Sequence, residues 1–135
     1  MSELKPKVRR IFEDGWNRGV LGVLDDICAE DYVYRDSTYG VMDLAGYKGF
    51  VSQVRVSYPD THVAIEDIMD AEGDSVVVRW IFYGTDRGGS IALSTAPTNK
   101  KVIISGITIC RFRDGKLAEA WNEQDTFGLI KQLRG

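Results

Sequence analysis

Histidine and cysteine are scarce in this sequence. It contains one histidine and two cysteines among 135 residues, so a metal site built from several histidines is excluded. No spacing of carboxylates suggests an oxygen-ligand site either, and we expect no metal. Cys28 and Cys110 lie far apart, and neither has a cysteine or histidine nearby. We therefore predict two buried free thiols and no disulfide, as is typical of a reducing compartment such as the cytoplasm.

Long apolar runs and dense basic clusters are also lacking. No stretch approaches the roughly 20 apolar residues that span a bilayer, and the N-terminus opens with charged residues where a signal peptide would have an apolar segment. The net charge is −3, and the longest basic cluster, residues 5–10, fits the exposed side of a helix. No glycine-rich phosphate loop follows a strand. We therefore expect a cytoplasmic protein without a cofactor, and without a nucleic acid or membrane partner.

Apolar residues recur at helical spacing early in the chain and at strand spacing later. The predicted helices are residues 2–18, 20–28, 44–56 and 129–133. The predicted strands are residues 31–36, 62–71, 75–85, 102–112 and 116–123. Asp43 and Asp125 are expected to cap the third and the last helix. Residues 37–40 are predicted to form a loop, and so is the segment 86–100, which has strand character near 91–93.

An Asp-Gly pair at residues 114–115 separates the last two predicted strands. Asp-Gly between two apolar runs is among the stronger hairpin signals. Helices gathered toward the N-terminus and a mostly antiparallel series of strands indicate an α+β fold. There is no internal repeat and no low-complexity segment, so residues 1–135 are predicted to form a single domain.

The two longest predicted strands are apolar on both faces. In residues 76–83 one face carries valine, tryptophan and phenylalanine, and the other carries valine, isoleucine, tyrosine and Arg79. A sheet that is apolar on both faces is covered on both sides. The predicted N-terminal helices cover one side. We therefore predict a homodimer in which a second copy covers the outer face of the sheet.

Several short motifs, taken in order, resemble the SnoaL-like polyketide cyclase family. The motifs are Trp16-Asn17-Arg18-Gly19, Asp31-Tyr32, Tyr58-Pro59-Asp60, Tyr83-Gly84-Thr85, Ala96-Pro97-Thr98 and the run from Arg111 to Trp121. The resemblance covers nearly the whole chain. It implies a cone-shaped fold with three N-terminal helices packed on a curved, mostly antiparallel sheet enclosing a hydrophobic pocket. That fold belongs to the nuclear-transport-factor-2-like superfamily, which includes isomerases, dehydratases and proteins that only bind, so it implies a cavity and no particular chemistry.

Three residues are candidates for catalysis. In the cyclases that this chain resembles, an Asp on the last strand is the general acid/base and a His on the preceding strand assists it. The matching residues here are Asn122 and Thr108, which do not titrate near neutral pH, although Thr108 could hold a hydroxyl toward a developing oxyanion. Asp36 ends a run that resembles the ketosteroid isomerase segment carrying its catalytic base. Alternatively, Asp36 caps the following loop or pairs with Arg35 or Arg79.

A second group of residues is predicted to bind a ligand. Strand phase and the periodicity of the first helix direct Trp16, Tyr34 and Trp80 into the same pocket as Thr108 and Asn122. The predicted ligand-binding residues are Trp16, Tyr34, His62, Trp80, Phe82 and Trp121. Of these, Trp16 could equally be core packing, and His62 starts a strand, where a surface position is common. The aromatic residues Trp80, Phe82 and Trp121 could line either a pocket or an interface.

Two functions are compatible with these residues. In the first, the chain acts on a small, largely apolar, carbonyl-bearing or cyclic molecule as a cofactor-independent cyclase, isomerase or lyase. In the second, it is a non-catalytic small-molecule-binding or dimeric accessory protein of the same fold. Asp36 and an intact cavity favour the first, whereas Asn122 and Thr108 favour the second.

Overall fold

The chain folds into a curved six-stranded sheet with helices packed against its inner face. A computed structural model describes residues 3–89 and 96–135. The helices are α1 (Leu4–Arg10), a π-helical segment (Ile11–Trp16), α2 (Gly22–Ile27), α3 (Leu44–Ser57) and α4 (Thr126–Arg134). The strands are β1 (Cys28–Asp36), β2 (Gly40–Met42), β3 (His62–Ala71), β4 (Ser75–Thr85), β5 (Lys101–Arg113) and β6 (Lys116–Gln124). The predicted α+β cone fold is confirmed.

The strands lie in the order β2-β1-β6-β5-β4-β3. Neighbouring strands are antiparallel except β1 and β6, which run parallel. The last strand of the chain thus inserts beside the first, which brings the end of β1 next to the middle of β6. Periodicity within single segments carries no information on such a pairing, because it joins residues more than eighty positions apart.

Most predicted elements are present, with three corrections. The first predicted helix changes to π-helical hydrogen bonding at Ile11 and ends at Trp16. β1 begins at Cys28 instead of residue 31, and residues 40–42, partly assigned to a loop, form β2 against β1. The predicted strand character near 91–93 lies outside the described residues. Within the described ranges, no helix combines the length and apolar character needed to cross a membrane.

The β5–β6 hairpin is closed by the predicted Asp-Gly turn. Asp114 and Gly115 both have positive φ angles, 52° and 78°, as a type I′ turn requires. Arg113 and Lys116 form the closing pair of the hairpin. The two predicted helix caps are also present, since the carboxylates of Asp43 and Asp125 accept the backbone N–H groups of the residues three positions on.

Burial alternates along β5 from one residue to the next. Val102, Ile104 and Cys110 are buried under the helices, whereas Ile103 and Ile107 are exposed on the outer face. Both cysteines are buried and free, as predicted. The core therefore lies between the helices and the inner face, and the outer face of a single chain keeps a large exposed apolar area.

Gly106 leaves room for the indole ring of Trp80. The two residues are directly paired across β4 and β5. A Cβ atom at position 106 would overlap that ring. The missing side chain thus lets Trp80 lie flat along the inner face of the sheet, with its indole nitrogen close to Thr108.

Gly106→Ala should lower the free energy of unfolding by about 1–3 kcal/mol, because the added methyl group pushes the indole ring out of its position. Urea denaturation followed by circular dichroism measures this loss. Gly49→Ala is the control, since Gly49 is exposed in α3 with open space around it. Alanine favours a helix by up to about 1 kcal/mol there. Two variants of equal stability would contradict this account of Gly106.

Candidate functional site

A cavity lies between the helices and the inner face of the sheet. The cavity has a volume of about 80 Å³. Its lining is mostly apolar, and nearly half of the lining residues are aromatic. The rings of Tyr34 and Tyr47 lie 4.5 Å apart, and Phe50 lies 6.2 Å from Tyr34 and 6.0 Å from Trp16. These contacts place the aromatic end of the cavity between β1, α3 and the π-helical segment.

A row of hydrogen-bonded polar side chains crosses the sheet wall of this cavity. Asp36, Asn122 and Thr108 are directly opposite one another on β1, β6 and β5. Trp80 Nε1 donates to Thr108 Oγ1 at 2.9 Å, and that hydroxyl donates to Asn122 Oδ1 at 2.7 Å. Asn122 Nδ2 donates to Asp36 Oδ2 at 2.9 Å and to Gln124 Oε1 at 3.1 Å. We call these five residues the polar row.

Asp36 lies at the end of the polar row, behind Asn122. Its carboxylate accepts four hydrogen bonds, from Asn122, from the Tyr34 hydroxyl at 2.8 Å, and from the backbone N–H groups of Thr38 and Tyr39. Asp36 is buried and is not among the residues that line the cavity. Asp36 therefore caps the loop after β1, as one of the two structural alternatives predicted. The other alternative is wrong, because Asp36 pairs with neither arginine.

Four tyrosines and the thiol in the lining are held in their neutral forms. Burial raises the pKa of Tyr39 and of Cys110 to about 12. Burial also raises the pKa of Tyr32, Tyr34 and Tyr47 above their ordinary value of about 10. Removing a proton from these groups would place a negative charge in apolar surroundings. All five groups therefore keep their protons at neutral pH.

Most of the predicted site residues come together in the cavity. Its lining includes Trp16, Tyr34, Trp80, Phe82, Thr108 and Asn122. Trp16 is also tied to α3, since its Nε1 donates to the Tyr47 hydroxyl at 3.0 Å. Strand phase brings these side chains together, because alternate residues of β1, β4, β5 and β6 share the inner face.

His62 and Trp121 are placed elsewhere, which corrects their assignment to the ligand pocket. His62 is exposed at the start of β3, with its ring 6.2 Å from that of Tyr83. Trp121 lies on the outer face between the guanidinium groups of Arg35 and Arg111, which are 5.0 and 4.9 Å from its ring. His62 directly precedes Val63, and Trp121 directly precedes Asn122. Val63 and Asn122 line the cavity, so His62 and Trp121 point to the other face, because neighbouring side chains of a strand point to opposite faces.

Several lining residues were missed by the sequence analysis. Tyr47 and Phe50 lie on the apolar face of α3, where helical periodicity could have indicated them. Gln124 shares a face with Asn122, so the period of two pointed to it as well. Tyr39 lies in the turn before β2, where no periodic signal exists. In the described part of the chain, no group of three or more His, Cys, Asp or Glu side chains could hold a metal ion.

A model of the SnoaL-like polyketide cyclase family matches residues 6–133 of this sequence. The chain belongs to this family. The cone-shaped fold described above is the one that the resemblance implied for its members. By the resemblance described above, Asn122 and Thr108 would stand at the positions of the family's acid/base Asp and assisting His.

Solved structures of the same fold cover nearly the whole chain. IdmH of Streptomyces antibioticus, a candidate polyketide cyclase, is 22% identical with a TM-score of 0.85, and the match covers 99% of this chain and 100% of that one. A candidate polyketide cyclase of Acidithiobacillus ferrooxidans is 28% identical, with a TM-score of 0.82 and coverages of 98% and 95%. AclR of Streptomyces galilaeus, a candidate hydroxylase, is 24% identical, with a TM-score of 0.85 and coverages of 99% and 86%. No curated protein sequence matches significantly.

Restoring the acid of the SnoaL-like polyketide cyclases should make stability depend on pH. In Asn122→Asp the introduced carboxyl lies about 2.9 Å from Asp36 Oδ2, and two carboxylates cannot easily ionise so close together, so one pKa rises above about 3.9. A carboxyl whose pKa is raised on folding stabilises the protein at low pH and loses that effect as the pH rises through the raised value.

The melting temperature of Asn122→Asp should therefore fall further below that of the wild type at about pH 8 than at about pH 5. A rise of one in the pKa corresponds to about 1.4 kcal/mol of lost stability. Asn99→Asp is the matched control, because Asn99 is exposed and its Oδ1 accepts from Arg87. A deficit that is independent of pH, or equal in both variants, would contradict the predicted coupling to Asp36.

Proposed function

We propose that this chain binds a small, uncharged, largely apolar cyclic molecule in the cavity. The observation that carries the proposal is the character of the lining. Among the described residues that line the cavity there is no Asp, Glu, Lys, Arg or His, and nearly half are aromatic. A ligand with a formal charge would be desolvated there without a partner of opposite charge. Flat, cyclic molecules instead gain contact area against aromatic rings.

The family supports a ligand of the polyketide type. The family model is named for polyketide cyclases, and two of the similar structures are described as candidates for the same activity. A candidate hydroxylase has the same fold, so the fold alone does not determine the reaction. The chemistry of this chain therefore has to be derived from its own side chains.

Binding without acid/base catalysis is the better supported of the two functions. General acid/base catalysis contributes about 10²–10⁴-fold and needs a group that exchanges a proton near the working pH. Asn122 and Thr108 do not exchange protons in that range. Tyr32, Tyr34, Tyr39, Tyr47 and Cys110 keep their protons because burial raises the pKa of each. The side chains of the described lining thus supply contacts, and none of them supplies a titrating group.

One observation favours the second candidate function, an acid/base isomerase or cyclase. The hydroxyl of Tyr34 belongs to a lining residue and lies 2.8 Å from Asp36 Oδ2. A proton could in principle pass between a ligand and Asp36 through this hydroxyl. Burial, Tyr47 and the charge of Asp36 all raise the pKa of Tyr34, which makes Tyr34 a weak acid. We therefore rank this function second.

Naphthalene should bind to the purified chain, and 2-naphthoate should bind at least about tenfold more weakly, because its carboxylate has no cationic partner in the cavity. Isothermal titration calorimetry measures both. Ala120→Leu fills the cavity and should weaken naphthalene binding by a similar factor, since Ala120 is a buried lining residue. Ala64→Leu is the control. Ala64 follows the lining residue Val63 but does not itself line the cavity, so this change should leave the affinity unchanged. Tighter binding of 2-naphthoate would refute the proposed ligand class.

We also propose that the chain forms a homodimer through the outer face of the sheet. The exposed apolar side chains of β4 and β5 on that face are Tyr83, Ile103, Ile107 and Ile109. Tyr83 is directly opposite Ile103, and Ile107 and Ile109 follow on the same face of β5, with Arg79 opposite Ile107. Exposed apolar side chains on one face of a sheet are typical of surfaces that associate in water. A dimer with two-fold symmetry would bury the same patch on both copies.

Light scattering should give a mass twice that of the 15.1 kDa chain. Ile107→Lys places an ammonium group on this face directly opposite Arg79 and should produce a monomer, because burying an unpaired ammonium group is costly. Val56→Lys is the control, since Val56 is equally apolar and exposed but lies on α3. A wild-type monomer, or a dimer that survives Ile107→Lys, would contradict this interface.

We further propose that the chain is a single-domain protein of the cytoplasm. The family match from residue 6 to residue 133 leaves no room within this sequence for a second domain. The two buried cysteines are free thiols, which are common in reducing compartments.

A further inference from the structure

We propose that the polar row selects a ligand that carries a hydroxyl group, because Thr108 and Asn122 offer the cavity hydrogen-bond acceptors and no proton. The inference rests on the proposed binding function and makes the ligand class narrower. It replaces the carbonyl-bearing molecule considered from the sequence with a cyclic alcohol, phenol or enol whose hydroxyl points at the sheet. We argue it from the two ends of the polar row inward.

The two ends of the polar row set the direction of every hydrogen bond between them. The indole nitrogen of Trp80 can only donate, and the carboxylate of Asp36 can only accept. Thr108 Oγ1 must therefore accept from Trp80, which leaves its own proton to be donated to Asn122 Oδ1. At the other end, the amide nitrogen of Asn122 must face Asp36. Both requirements agree on one orientation of the Asn122 amide.

The side-chain protons of Thr108 and Asn122 are all donated within the polar row. The single hydroxyl proton of Thr108 goes to Asn122, and the two amide protons of Asn122 go to Asp36 and Gln124. Thr108 Oγ1 and Asn122 Oδ1 each keep one unused lone pair, because each accepts one hydrogen bond and has two lone pairs. The wall at Thr108 and Asn122 can thus accept a proton from a ligand and cannot donate one.

Turning the Asn122 amide over would be costly. It would bring Oδ1 to the place of Nδ2, 2.9 Å from a carboxylate oxygen of Asp36. Asp36 itself is held by three further hydrogen bonds, and Trp80 is confined by its position over Gly106. A developing oxyanion would accordingly find no donor at Thr108, which corrects the expectation that this hydroxyl could face an oxyanion.

One hydrogen-bond donor of the cavity lies on α3. The hydroxyl of Tyr47 accepts from Trp16 Nε1 at 3.0 Å. Its own proton has no acceptor among the hydrogen bonds of the described residues, so it is available to a carbonyl or ether oxygen of a ligand. A ligand with a hydroxyl at one end and an oxygen acceptor at the other would therefore be oriented with its hydroxyl toward the sheet.

Three probes of similar size test the inference: 2-naphthol, 2-methoxynaphthalene and 2-naphthaldehyde. Only the first can donate a proton. The other two probes can accept a hydrogen bond from Tyr47, so isothermal titration calorimetry uses Tyr47→Phe, which lacks that donor. In this background 2-naphthol should have an affinity at least about tenfold above that of the other two, as expected for one added hydrogen bond to a buried acceptor. Binding of 2-naphthol should also shift the NMR resonances of the Trp80 indole and the Asn122 amide.

Asp36→Asn tests the role of Asp36 as a positioning residue. An amide at this position can donate as well as accept, so the Asn122 amide becomes free to turn and present Nδ2 to the cavity. The preference for 2-naphthol over 2-naphthaldehyde should fall below about threefold, whereas a merely structural role would weaken both probes alike. Should this variant not fold, Thr108→Ser and Thr108→Val replace it. The serine keeps the hydroxyl and should keep the preference, and the valine should lose it.

The outcomes separate this inference from the proposed function. If all three probes bind with equal affinity, or if 2-naphthaldehyde binds best, the cavity binds apolar rings. The inference that Thr108 and Asn122 offer it only hydrogen-bond acceptors is then wrong. If none of the three binds, and naphthalene does not bind either, the proposed function fails and the inference fails with it. A preference that is unchanged in Asp36→Asn and in Thr108→Val would overturn the assignment to the polar row.

Discussion

The hydrogen bonds that run from Trp80 to Asp36 connect four adjacent strands on the inner face of the sheet. Trp80 lies on β4, Thr108 on β5, Asn122 on β6 and Asp36 on β1. A carboxylate, an amide and a hydroxyl would each be costly in a buried position without partners. Their mutual pairing removes most of that cost, and it requires the strands to lie in one particular register. The same bonds determine which atoms the cavity presents to a ligand.

The sheet has two faces with different roles. The inner face carries the aromatic residues and the polar row, and the outer face carries exposed isoleucines together with Trp121 and its flanking arginines. One alternating pattern along β5 and β6 produces both faces. A mutation of Asn122 would therefore affect the cavity, whereas a mutation of its neighbour Trp121 would affect the proposed dimer.

Membership of the family does not by itself determine the chemistry of this chain. The fold is shared with candidate cyclases and with a candidate hydroxylase, so it is compatible with more than one activity. In this chain Thr108 and Asn122 are hydrogen-bonded within the polar row, and neither side chain titrates near neutral pH. Asp36, a carboxylate of the polar row, holds that pair in place and is itself behind the cavity wall.

The sequence by itself determined most of the element types, the type I′ turn at Asp114-Gly115, the two helix caps and which residues of β4 and β5 share a face. These properties depend on local spacing, which periodicity and turn chemistry express directly. The neighbours of Asp36 and the exclusion of His62 from the cavity were decided only by the tertiary structure. The first depends on the parallel pairing of β1 with β6, and the second on the strand phase of β3 relative to its neighbours. The direction of the polar row also needed the tertiary structure, because it follows from which donor and which acceptor stand at its two ends.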